Sequence, residues 1–84
     1  MNDDALIELI AAHIQRYLCE HPASADTAEG VHQWWLGGEA LDAPLDATQA
    51  ALERLARRGV LEAVKLGGRT LWRRARPGAE AATG

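Results

Sequence analysis

Residues 47–74 read ATQAALERLARRGVLEAVKLGGRTLWRR, and their reading decides the fold. Up to Gly59 the apolar residues keep helical spacing: Leu52, Leu55 and Ala56, with Thr48 or Ala51, form one stripe. Asp46 or Thr48 can cap the start of this helix, Thr48–Arg58, and Gly59 suits its C-terminal cap. Arg57 and Arg58 fall in its last turn, where the helix dipole favours cations. Beyond Gly59 the period changes. VLEAVKLGGRTLWRR carries β-formers on both sides of Gly67–Gly68, the residue pair of a tight two-residue hairpin turn. That turn sets Leu66 opposite Arg69, Val64 opposite Leu71, Ala63 opposite Trp72 and Glu62 opposite Arg73, the last as a cross-strand ion pair. Val64 and Leu71 then share the inward face. Trp72 falls with Leu61 on the other, which calls for a bulge or for an indole covering the hairpin from outside.

Two more helices precede this stretch. DDALIELIAAHIQRYLCEHP places Leu6, Ile7, Ile10, Ile14, Tyr17 and Leu18 at helical spacing, with acids at its start and Pro22 to end it. Leu9 and Ala11 widen that stripe, and the surplus face suits a homodimer through this first helix. DTAEGVHQWWLGG reads as a second helix, Thr27–Leu36, capped by Asp26 or Thr27 with Glu29 in capping-box position, and ended by Gly37–Gly38. Gly30 within it points to close packing against another helix. Trp34 and Trp35 are adjacent, about 100° apart around a helix, so one is expected in the core and the other exposed. Residues 1–76 form one domain and 77–84 a disordered C-terminal tail.

The chain has 84 residues, is 48% hydrophobic and carries a net charge of −3. That average hides a division: residues 1–53 hold ten acids and one base, whereas residues 54–84 hold eight bases and two acids. Such a dipolar domain can turn a basic face to a polyanion, or either face to a charged protein. No apolar run reaches the roughly 18–20 residues that span a bilayer, and the acidic N-terminus is unlike a signal peptide. A cytoplasmic protein without membrane contact is expected. Cys19, the single cysteine, lies beside apolar helix positions and reads as a buried thiol.

Three helices followed by a glycine-turned hairpin is the order of a winged helix, and residues 5–75 resemble that family, most closely over 47–74. The resemblance implies a mostly α domain with a small β-hairpin: three helices plus a two-stranded wing, tipped by Gly67–Gly68. One departure stands out. The family joins its second and third helices by a brief turn, whereas Gly37 to Leu45 intervene here, with Glu39 and Asp42 among them. The third helix is then set at a different angle or beside an acidic obstruction.

The resemblance further implies double-stranded DNA as partner and transcriptional regulation as function, with the third helix entering the major groove. On that helix Thr48, Gln49 and Glu53 are the candidates for base contact, Gln49 toward adenine and Glu53 toward cytosine. Arg54, Arg57 and Arg58 would grip phosphate, and Lys65, Arg69 and Arg73 would reach an adjacent groove from the wing. The competing reading is a winged-helix protein-interaction module without DNA binding, anchored at Trp34 or Trp35. His13, His21 and His32 have no closed metal-site spacing, and a local His32–Glu29 hydrogen bond is expected instead. No catalytic residues, cofactor or metal follow from the sequence.

Overall fold

A computed structural model of the chain describes residues 3–36 and 43–75. Its elements are α1 (Asp3–Glu20), β1 (Ala25–Asp26), α2 (Ala28–Gly30), a π-helical segment continuing it (Val31–Trp35), α3 (Leu45–Arg57), β2 (Leu61–Leu66) and β3 (Arg69–Arg74). The glycine pair Gly37–Gly38, most of the connection between the second and third helices, and the tail 77–84 lie outside the described residues.

α1 contributes Ile10, Ala11, Ile14 and Leu18 to the core, all at most 3% exposed. Against them pack Val31, Trp35 and Leu36 from the second helix and Ala51, Leu52 and Leu55 from α3, closed off by Leu61 and Trp72 of the hairpin. Cys19 is exposed, contrary to the reading of a buried thiol. Leu18 occupies the core position, and the next residue is turned about 100° away from it.

Local chemistry explains the boundaries. Thr27 caps α2, its hydroxyl accepting from the Gly30 N–H at 3.2 Å. A Cβ at Gly30 would meet the Asp26 carboxylate, which would have to move to admit it. α3 begins a turn earlier than the sequence suggested, with Pro44 at its N-cap, so neither Asp46 nor Thr48 serves as the cap. It ends in a Schellman motif. Gly59 takes φ +82° while the Val60 N–H reaches the Leu55 carbonyl at 2.9 Å and the Gly59 N–H reaches Ala56 at 3.1 Å.

The hairpin pairs Leu66 with Arg69, Val64 with Leu71, Ala63 with Trp72 and Glu62 with Arg73, the register that the glycine pair dictates. Both turn glycines have positive φ, +52° and +84°, the signature of a type I′ turn. Two expectations are corrected. The sheet has three antiparallel strands in the order β1-β3-β2, not two, because Ala25 and Asp26 pair with Arg73 and Trp72. The inward face is the one carrying Leu61 and Trp72, 2% and 6% exposed, whereas Val64 and Leu71 are only half-buried on the outer face. The pairing runs unbroken from Leu61 to Leu66, so no bulge is involved.

Candidate nucleic-acid interface

α3 turns Thr48, Ala51, Leu52 and Leu55 into the core. At about 100° per residue, the opposite face carries Asp46, Ala50, Glu53 and Arg57, with Gln49 on one flank and Arg54 on the other. Thr48 is therefore not on the rim. It has no exposed surface, and its hydroxyl shares a 2.8 Å hydrogen bond with Nδ1 of His32, which takes the place of the expected His32–Glu29 contact.

Between α3, the start of α2 and the inner side of the hairpin lies an open groove of about 760 Å³. Gln49 and Glu29 stand on its helical side, and Lys65, Thr70 and Trp72 on its hairpin side, with Gly68 and Arg69 bordering it at the turn. The Gln49 amide also donates to Glu53 at 2.9 Å, so these two residues act as a unit. Among the described residues, no salt bridge engages Lys65, Arg69 or Arg57.

Three other arginines, Arg54, Arg58 and Arg73, are committed elsewhere. Asp4 and Glu8, one turn apart on α1, face Arg54 in the last turn of α3 and Arg58 at its C-cap. Arg54 Nη1 lies 2.8 Å from Asp4 and 2.7 Å from Glu8, and Arg58 Nη2 lies 2.5 Å from the same Glu8 oxygen. The hydrogen bonds from Arg58 and then Arg54 hold the Glu8 carboxyl below the usual carboxylate range. Those from Glu8 and Asp4 raise Arg54 further above its ordinary value. Arg73 donates to Glu62 at 2.6 Å across the outer face of the hairpin. The nine residues proposed from sequence thus separate: Gln49, Lys65 and Arg69 share the groove, with Glu53 tied to Gln49. Arg57 lies on the outward face of α3, Arg54 and Arg58 fill the α1–α3 seam, Arg73 pairs on the sheet, and Thr48 is in the core.

Of the two adjacent tryptophans, Trp35 is buried and stacks on Tyr17 with centroids 4.8 Å apart, whereas Trp34 is 66% exposed. Sequence reading missed the seam acids, although Asp4/Glu8 and Arg54/Arg58 carry a signal in their matching four-residue spacing. It also missed Glu29 as a groove residue. Among the described residues, no three His, Cys, Asp or Glu side chains gather as they would around a metal ion, and no helix is long and apolar enough to cross a membrane.

The described chain is a small domain of three helices and a short antiparallel sheet, an architecture compatible with the winged-helix type. No protein-family model matches it, and neither a curated protein nor a solved structure shows significant similarity to it.

Proposed function

We propose that this chain is a winged-helix-type domain that binds duplex DNA and serves in transcriptional regulation in the cytoplasm. The observation carrying this reading is the groove between α3 and the hairpin, with Lys65 and Arg69 on one side and Gln49 on the other. Lys65, Arg69 and Arg57 hold phosphate, and the Gln49–Glu53 pair meets base edges. Exposed Glu29, Asp46 and Glu53 offset these three cations, so the electrostatic contribution is modest. Three phosphate contacts give a salt slope of about −2.7, against about −5.4 for six.

Fluorescence anisotropy with a labelled duplex, titrated between about 50 and 200 mM salt, tests this. Lys65→Ala, Arg69→Ala and Arg57→Ala should each flatten the slope by about 0.9, while Arg73→Ala leaves it in place. Absence of binding to varied duplexes at the lowest salt refutes the reading.

A second reading is favoured by Trp34, whose exposed indole is unusual for a residue of this size. In it the domain is a protein-interaction module anchored at Trp34, and Trp34→Ala abolishes partner binding without affecting DNA. A homodimer through α1 would use Leu9, 46% exposed on the face turned from the core.

A further inference from the structure

We infer that Asp4 and Glu8 form an intramolecular latch that competes with DNA phosphate for Arg54 and Arg58. The inference rests on the DNA-binding reading above and concerns the regulation of that same surface. Three observations carry it. First, a single Glu8 oxygen accepts from both guanidinium groups, at 2.7 and 2.5 Å, which is how a phosphate oxygen engages an arginine pair. Second, Arg54 and Arg57 are one turn apart on α3, so Arg54 stands at the border between the seam and the outward face that carries Arg57. Third, the seam opens to solvent on its acidic side and at Arg58: the Asp4 and Glu8 side chains are 78% and 41% exposed and Arg58 is 47% exposed, while Arg54, at 24%, is the partly covered member. Solvent-exposed ion pairs of this kind exchange partners at little cost. A polyanion laid along α3 is therefore a rival for the same donors.

In the latched state the duplex meets Lys65, Arg69 and Arg57. With the latch open, Arg54 and Arg58 add two contacts. A protein or cation that neutralises or captures Asp4 and Glu8 strengthens DNA binding without touching the groove.

The test compares the full chain with Asp4→Asn/Glu8→Gln in the same duplex titration. Glu20→Gln, an exposed acid elsewhere on α1, controls for charge alone. Asp4→Asn/Glu8→Gln in an Arg54→Gln/Arg58→Gln background removes the donors. Thermal melts by circular dichroism establish that each variant is folded at the assay temperature. Should the double variant fail to fold, Glu8→Gln alone carries the test with about half the effect. The latch predicts tighter binding and a slope steeper by about 1.8, equivalent to about twelvefold more affinity lost between 50 and 200 mM salt. That gain disappears in the Arg54→Gln/Arg58→Gln background. An unchanged slope, or the same gain from Glu20→Gln, overturns the latch and leaves the DNA reading intact. If neither wild type nor any variant binds duplex DNA, the DNA reading fails and the latch with it.

Discussion

Thr48 distinguishes the fold described here from a recognition helix that exposes its first turns, and Thr48→Val makes the distinction measurable. The side chain has no exposed surface and its hydroxyl lies 2.8 Å from His32 Nδ1. Valine keeps the shape and one methyl while replacing the hydroxyl with a second methyl, so no cavity forms. What is lost is the hydrogen bond, with a net value of about 0.5–1.5 kcal/mol, plus part of the cost of leaving the imidazole nitrogen without its partner. His32 is only half-buried, so water recovers some of that cost. A loss of about 1–2 kcal/mol is expected. For a domain of this size each kcal/mol moves the melting temperature by about 4–8 °C, so Thr48→Val melts roughly 4–16 °C below wild type. Thermal melts followed by circular dichroism read this directly. His32→Ala should be non-additive with Thr48→Val, because each removes the same bond. Below the melting range, DNA affinity and its salt slope should match wild type. An unchanged melting temperature together with weakened DNA binding would place Thr48 at the interface after all and refute its assignment to the core.

The tryptophan pair gives a second contrast. Trp35→Ala removes a buried ring stacked on Tyr17 and should cost about 3–5 kcal/mol, whereas Trp34→Ala should stay within about 0.5 kcal/mol of wild type in urea denaturation. The reverse order would show that the π segment presents the other indole to the core. Acid titration tests the seam. Because the folded-state pKa of Glu8 is lowered, the unfolded chain takes up its proton first, so the stability Glu8 contributes is fully present above the ordinary carboxylate range. It is lost as pH falls through that range toward the lowered value. The difference in melting temperature between wild type and Glu8→Gln should therefore shrink from about pH 6 to about pH 3, and a constant difference would contradict the ion-pair assignment.

How much of this was legible in the sequence varied with distance along the chain. The hairpin register followed from Gly67–Gly68 alone, because a two-residue turn with two positive φ angles fixes every pair that follows. Its facing did not. Val64 and Leu71 are a plausible inward pair by hydrophobicity, but the Schellman turn at Gly59–Val60 delivers Leu61 directly into the core beneath α3. Parity then carries Trp72 inward as well, where its larger apolar surface is buried. β1 was illegible, since two residues show no period and are held in place by the edge of β3. The tryptophans were resolved as one buried and one exposed, but deciding which required the π segment, whose five residues have no distinctive composition.

The arginine cluster shows most clearly why proximity in sequence misled. Arg54, Arg57 and Arg58 lie within five residues, yet helical rotation sends Arg57 outward and the other two into the seam. Their partners come from α1, 46 and 50 residues away from the Glu8 side, a distance over which no local pattern operates. The division between an acidic first part and a basic second part is consequently not left open as a dipole. The packing of α1 against α3 closes a portion of it on itself at Asp4, Glu8, Arg54 and Arg58. What can act on a polyanion is then set by the cations left uncommitted rather than by net charge or by the number of arginines in the sequence. Because a salt slope counts phosphate contacts, it distinguishes the two states of the seam: about −2.7 with Lys65, Arg69 and Arg57 alone and about −4.5 with Arg54 and Arg58 added. A wild-type slope near the first value assigns DNA binding to the groove with the seam closed, and a wild-type slope near the second means that Arg54 and Arg58 already meet phosphate, which overturns the latch.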